Sequence, residues 1–351
     1  MTPDDDTYVV TCLYGLEEEL ASEAAGRLEV AAEHHWSEAV FEFDGPVERL
    51  RELRLAGNVF LQFDSFLIGP EPSDLDDIAE RLRSLPVERW EQRWAELNGD
   101  PPAGPDISVS VKRSGHHRYT YKDVEEVAWE VIPDALGRRA VGEPRPLELR
   151  IEVLEERCRL RGRLTPEPLS RRPYKVRYDR SETHPALAAA MLRLSEPVRD
   201  ERFLDPFCGT GTIPIERTLL GPAELIVAGD ASPRRAEWAV MNAEAAGADV
   251  HVAVWDAHTL PFPDRCFTRI VTTPPHSDPT DGRPWDVEDF ARLIAEPLRV
   301  LEYGGFSVWL TRHARLLERA VELVGLNRIV ETLRCEWKGR PCYVYALEKV
   351  P

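Results

Sequence analysis

Three stretches in the second half of the chain each close an apolar run with an acid. LDPFCGTGTIPIE, residues 204–216, reaches Asp205 and then sets Gly209 and Gly211 ahead of a helix expected from about Thr212. Glycine allows the tight turn and close backbone approach such a junction needs. The spacing is not Gly-x-Gly-x-x-Gly and no Gly-Lys-Ser/Thr follows, which disfavours a dinucleotide or a nucleoside triphosphate. IVAGD ends on Asp230, 25 residues after Asp205, where an acid accepts hydrogen bonds from ribose hydroxyls. VWDA ends on Asp256, placed to take an adenine amino group. A fourth run, TRIVTTPPHSD, stops at a stiff tip of Thr273, Pro274, Pro275 and His276. Two prolines cannot continue a strand ladder, but they fix the backbone where a strand ends. Taken singly, each acid is more often a helix cap or loop residue. In this order they predict a nucleoside cofactor at the carboxyl edge of a parallel sheet, with the proline tip beside it.

Those tips need a frame. From residue 183 the runs RFLDPF, ELIVAGD, VHVAVWDA, TRIVTTPP and GGFSVWLT alternate with helical or loop stretches. NRIVETLRCEW and CYVYALEKV follow, joined only by KGRP, a hairpin. The alternation predicts a mostly parallel, doubly wound sheet with one antiparallel edge. Upstream, TYVVTCLY, LEEELASEAAGRL, AVFEFDG, PVERLRELRLA and NVFLQFDSFLIG read as β-α-β-α-β, a ferredoxin-like half. Two helices (DLDDIAERLRSL, VERWEQRWAEL), the strand DISVSVKR, a long helix from KDVEEVAWEV and a hairpin in PLELRIEVLEERCRLRGRL come next. LTPEPLSRRPY, with three prolines, reads as a linker. The expected divisions are 1–68, 69–165, a linker at 166–182, and 183–351.

Composition sets the outer limits. A length of 351 residues favours two or three domains, and 43% hydrophobic with 30% charged residues is ordinary for a soluble protein. No run of 18 apolar residues is present, and the acidic start lacks a signal pattern. Six scattered cysteines, none in Cys-x-x-Cys, are read as reduced thiols of a cytoplasmic protein without zinc. The net charge of −18 conceals an asymmetry: residues 107–122 carry +4 and residues 157–180 carry +7, leaving −29 elsewhere. Basic surface on an acidic body is one reading, and internal salt bridging is the other. Only five lysines occur, so positive charge is mostly Arg, which suits bidentate phosphate contact.

DPFCGTGTI followed by AGD, WDA and TPPH resembles the motif series of class I S-adenosylmethionine-dependent methyltransferases. The DPFxGxGT form resembles RNA guanine-N2 methyltransferases. TCLYGLEEELASE and LRLAGNVFLQF resemble the ferredoxin-like segment that precedes a THUMP domain, and ISVSVKRSGHHRYTYKDVEEVAWEVI resembles the THUMP domain itself. THPALAAAMLRLS resembles the helix that leads into the methyltransferase fold. The resemblance covers nearly the whole chain and is nearest to the family that methylates guanosine 6 in the tRNA acceptor stem. Relatives act on guanosine 10 of tRNA or on 23S rRNA.

The resemblance implies an α/β protein: a C-terminal Rossmann-like class I methyltransferase sheet with N-terminal α+β ferredoxin-like (1–68) and THUMP (69–165) domains. It implies S-adenosylmethionine as cofactor, no metal, tRNA or another structured RNA as partner, no membrane and no obligate protein partner. Cofactor contacts fall at Asp205, Phe207, Gly209, Thr210, Gly211, Asp230, Ala231, Asp256 and Ala257. RNA contacts fall at Lys112, Arg113, His116, His117, Arg118, Tyr119 and Lys122, and in the linker at Arg171, Arg172, Lys175 and Arg177. In the family the tip is usually Asn-Pro-Pro-Tyr. Its carbonyl acceptors orient a poorly nucleophilic amine and meet the charge that develops on it. Its aromatic ring stacks on a base rotated out of the helix. Here Thr273, Pro274 and His276 take those catalytic places. A threonine hydroxyl is shorter than an asparagine amide and has no carbonyl. That leaves open both an active enzyme with altered geometry and an RNA-binding pseudoenzyme.

Overall fold

The structure, a computed structural model, describes residues 6–100, 104, 106–275, 285–325 and 327–351. The chain divides into two compact units: one runs to Cys12 and resumes at Glu17–Leu169, and the other holds Leu13–Leu16 and Ser170–Pro351. In the first unit the elements are β1 (Asp6–Thr11), α1 (Glu17–Leu28), β2 (Ala32–His35), β3 (Glu38–Phe43), β4 (Val59–Leu67), α2 (Leu75–Arg83), α3 (Val87–Asn98), β5 (Ile107–Ser114), α4 (Tyr121–Leu136), β6 (Ala140–Val141), β7 (Leu147–Leu154) and β8 (Arg157–Arg163). In the second they are α5 (Pro185–Leu194), β9 (Arg202–Asp205), α6 (Thr212–Thr218), β10 (Leu225–Asp230), α7 (Pro233–Ala246), β11 (His251–Val254), β12 (Phe267–Thr272), α8 (Val287–Val300), β13 (Leu301–Thr311), α9 (Ala314–Val324), β14 (Asn327–Trp337) and β15 (Arg340–Lys349). No described helix is long and apolar enough to cross a membrane.

The first unit is built on one sheet, ordered β2-β3-β1-β4-β8-β7-β5-β6. Strand β4 pairs antiparallel with β8, from Phe60 opposite Arg163 to Leu67 opposite Arg157. The expected division at residue 68 is therefore corrected: segments 1–68 and 69–165 share a sheet and a core. Trp90 of α3 packs on this sheet, and Gly162 makes room for it, since a Cβ there would lie 2.5 Å from the indole. The expected helix in PVERLRELRLA is instead a six-residue 3₁₀ segment, Val47–Glu52. The buried Glu23 carboxylate accepts the backbone N–H groups of Arg54 and Leu55, each at 3.0 Å. Those donors are drawn away from a helical ladder, and the turn stops early.

Charge in the basic stretch goes inward. Buried Arg161 donates to Glu38 at 2.7 Å and lies 2.9 Å from Glu152, Arg159 donates to Glu38, and Arg163 donates to Glu148 at 2.9 Å. For these residues internal salt bridging is the correct reading.

The second unit carries the sheet β11-β10-β9-β12-β13-β15-β14. Strands β9 to β13 run parallel, and β15 pairs antiparallel with both β13 and β14. The β14–β15 hairpin thus forms the one antiparallel edge, with β15 next to β13 and β14 outermost. Phe290, Ile294 and Leu298 of α8 and Leu317 of α9 cover the core with Trp309, Tyr345 and Leu347. Residues 170–182 are not a free linker. Buried Arg172 donates to Glu216 of α6 at 2.8 Å, and Tyr174 donates to the same oxygen at 2.6 Å. Asn242 of α7, fully buried, accepts the N–H groups of Val176 and Arg177 at 3.0 and 2.9 Å.

Candidate active site

The carboxyl ends of β11, β10, β9, β12 and β13 meet along one edge of the second sheet and open into a cavity of about 840 Å³. That volume lies within the range of small-molecule sites. Phe207, Gly209, Asp230, Ala231, Asp256 and Ala257 line it from the β9, β10 and β11 side. Thr273 and Pro274, at the end of β12, line it from the other.

The loop after β9 is held by backbone bonds. Cys208 N–H donates to the Gly229 carbonyl at 2.9 Å, and Gly211 N–H donates to the Cys208 carbonyl at 2.8 Å. Gly209 and Gly211 both have positive φ, +55° and +83°. A Cβ on Gly209 would meet no atom within 4 Å, whereas one on Gly211 would lie 3.1 Å from Ala239 of α7. The first glycine leaves space in the cavity, and the second lets the loop rest on a helix. Trp255 supports the loop from beneath, its Nε1 donating to the Pro206 carbonyl at 3.1 Å.

The three acids differ in what they can reach. Asp230 accepts from Gly209 N–H at 3.1 Å through Oδ2, and from Ser232 N–H and Arg235 Nε through Oδ1. Oδ2 keeps a lone pair for a hydroxyl. Asp256 is exposed, and its carboxyl is held below the usual range by the N–H and imidazole of His258. Asp205 is fully buried and does not line the cavity. Its Oδ1 accepts from Thr272 Oγ1 at 2.6 Å and Phe207 N–H at 3.2 Å, while Oδ2 has no partner among the described residues. Burial pushes its pKa up to about 7. Asp205 therefore ties the β9 and β12 tips together from beneath the cavity edge.

Thr273 Oγ1 accepts a hydrogen bond from Thr183 Oγ1 at 2.8 Å, and both residues line the cavity. A threonine at the tip is thus locked in one orientation by a second threonine. His276 lies outside the described residues.

Comparison with known proteins places the chain. It is 33% identical over 273 residues to a tRNA (guanine(6)-N2)-methyltransferase of Thermus thermophilus, covering 77% of this chain and 77% of that one. The chain belongs to the tRNA (guanine(6)-N2)-methyltransferase family. The UPF0020 RMKL-like methyltransferase domain matches residues 172–334. The crystal structure of TrmN from Thermus thermophilus superposes with a TM-score of 0.84 at 28% identity, over 98% of this chain and 100% of that one. The crystal structure of SMU.472 complexed with SAH has a TM-score of 0.76 at 16% identity, over 98% of each chain, and shares the fold.

Within this methyltransferase family member several expected contacts move. Thr210 is buried and does not line the cavity: its hydroxyl donates to Glu182 at 2.7 Å and accepts from Lys175 Nζ at 2.8 Å. Gly211 faces α7, as above. Arg172 and Lys175 are corrected as RNA contacts, because both are buried: Arg172 is paired with Glu216, and Lys175 with Glu182, Thr210 and Thr212. Arg171 and Arg177 are exposed. In the first unit Lys112, His116 and Lys122 are exposed, and Arg118 is exposed beside Glu71. Arg113 instead donates to the carbonyls of Tyr119 and His117 and braces their turn, and Tyr119 is buried.

The sequence reading missed a set of cavity residues. Asp179 to Thr183 form one wall, Trp285 and Arg292 another, and Arg312, Trp337 and Lys338 a third. Asp179 to Glu182 fall within the expected linker, and Thr183 at the start of the helix that follows it. Trp337 and Lys338 sit at a hairpin tip, a place with no motif to mark it.

Proposed function

We propose that this chain methylates the exocyclic N2 amine of a guanine in tRNA, at position 6, using S-adenosylmethionine. The observation that carries the reading is the shared cavity: Gly209, Asp230 and Asp256 face the same space as Thr273 and Pro274. The donor fits the residues present, since Gly209 leaves open space, Asp230 retains an acceptor for a ribose hydroxyl, and Asp256 is exposed for an adenine amine. When bound, it supplies an electrophilic methyl group on a sulfonium.

The chain's own residues do the rest. The guanine amine is a weak nucleophile because its lone pair is delocalised into the ring. The Thr273 hydroxyl and the Pro274 carbonyl are acceptors for its hydrogens, and they aim the lone pair and meet its growing positive charge. Thr183 holds Thr273 in place for that task. Pro274 and Pro275 keep the tip from relaxing. The first unit, with Lys112, His116, Arg118 and Lys122 on its surface, is assigned to RNA contact as a THUMP-type element.

The test is methyl transfer to total tRNA from a strain lacking this protein, followed by mass spectrometry of the nucleosides. N2-methylguanosine at position 6 is expected. Label confined to another nucleoside would overturn the chemistry, and cofactor binding without transfer to any RNA would make the chain a pseudoenzyme.

A further inference from the structure

Trp337 ends β14, and Lys338 and Gly339 make the turn into β15, both with positive φ, 53° and 67°. Two consecutive residues in that region make a tight hairpin turn, one that a lysine enters only at a steric cost. The turn holds the Lys338 ammonium 4.2 Å from the centre of the Trp337 ring. On the same ring, 5.7 Å from its centre, sits the guanidinium of Arg312, which directly follows β13. Arg312, Trp337 and Lys338 all line the cavity.

Two cations drawn to one indole repel each other, and each is stabilised by the ring only in part. Among the described residues neither is paired with a carboxylate. Lys338 donates to the Arg180 carbonyl at 2.8 Å, and Arg312 Nε is buried with no partner among the described residues. The acids of the cavity that the donor reading uses, Asp230 at the end of β10 and Asp256 after β11, lie beyond β9 from the tip. The two cations stand on the opposite side, after β13 and beside β15. Strand β12, with Thr273 at its end, lies between the two groups.

We infer that Arg312 and Lys338, held over Trp337, seat a backbone phosphodiester of the RNA next to the guanine presented to Thr273. The inference rests on the tRNA-methylation reading. An anionic oxygen between the two cations removes their repulsion. The methionine carboxylate of the donor has the same chemistry. The phosphodiester is favoured because the two cations lie on the β13 side of the tip, away from Gly209 and Asp230.

The full chain is tested by fluorescence anisotropy with a labelled tRNA transcript across a KCl series, and by calorimetry with S-adenosylhomocysteine. Arg312→Ala is expected to weaken tRNA binding roughly tenfold and to reduce the log–log salt slope by about 0.7–0.9, the loss of one phosphate contact. Arg312→Lys is expected to keep the slope while losing affinity, because the bidentate fork is gone. Lys338→Asn, which tolerates the turn, tests the second cation if the alanine variant is unstable. S-adenosylhomocysteine affinity is expected to stay unchanged in all three. An unchanged salt slope in both Arg312→Ala and Lys338→Asn overturns the seat, and so does a fall in S-adenosylhomocysteine affinity with the slope kept, which would assign the cations to the donor carboxylate. Nucleoside mass spectrometry on the wild type separates the two readings: a salt slope that depends on Arg312 together with methylation of a different nucleoside keeps the seat and removes the guanine-N2 assignment.

Discussion

The two glycines after β9 are two residues apart but face different partners, and exchanging each for alanine should separate folding from donor binding. In Gly211→Ala the new methyl lands 3.1 Å from the Ala239 Cβ and 3.2 Å from its Cα, on a backbone at φ +83°. The obstruction is partly helix backbone, so relief requires α7 to move. A left-handed conformation costs an L residue about 1–2 kcal/mol, and overpacking adds about 1–3 kcal/mol, giving roughly 2–5 kcal/mol of lost stability. In Gly209→Ala the φ is +55° and nothing lies within 4 Å. Stability should fall by only about 1–2 kcal/mol. The methyl, however, enters the space assigned to the donor, and a steric cost of about 1–3 kcal/mol there weakens affinity roughly 5- to 150-fold. Urea unfolding reads the first quantity and calorimetry with S-adenosylhomocysteine reads the second. Gly209→Ala binding S-adenosylhomocysteine as tightly as the wild type would refute the placement of the donor, and Gly211→Ala unfolding like the wild type would refute the packing argument.

Thr273→Ala should lower the single-turnover rate by about 10²–10³, as loss of one oriented transition-state contact does, with S-adenosylhomocysteine affinity unchanged. The pKa of Asp205, raised by burial to about 7, means that the folded chain keeps a proton the unfolded chain sheds near 3.8. Stability should therefore fall as pH rises from about 4 to 7, by up to roughly 4 kcal/mol, and Asp205→Asn should flatten that window in urea titrations. His184, whose Nδ1 accepts the Ala186 N–H at the start of α5, is pushed down to about 4 by burial. It acts with the opposite sign: stability gained as pH rises from about 4 to 6.5, up to roughly 3 kcal/mol, lost in an Asn variant that keeps the cap. Glu216→Gln breaks the buried pair with Arg172 and should cost about 3–5 kcal/mol by chemical denaturation.

The methyltransferase half was readable because its information is local. Asp230 and Asp256 end short apolar runs, glycines mark the turn after Asp205, and the alternation of strands and helices places all three on one edge. What stayed hidden depends on distant partners. Glu23 unwinds an amphipathic stretch thirty residues away by taking its N–H groups, and no periodicity records that. Arg172 and Lys175 read as surface charge in the sequence, because nothing local marks Glu216 and Glu182 as their partners. Arg161 is equally deceptive, because a strand of alternating arginines reads as basic surface unless Glu38 and Glu152 are known to face it. Arg312, Trp337 and Lys338 come from two separate elements, and only the insertion of β15 between β13 and β14 brings them together.

The pairing of β4 with β8 also governs how the chain is made. Phe60 finds its partner at Arg163, about 100 residues later. At roughly 5–20 residues per second of synthesis, β4 waits on the order of 5–20 seconds after leaving the ribosome with one hydrogen-bonding edge bare. Its β1 side can close early, but its β8 side cannot, and an apolar strand with an open edge is a template for other nascent chains. A fragment cut at residue 68 would keep that edge permanently, so it should aggregate where the piece ending at Leu169 stays monomeric.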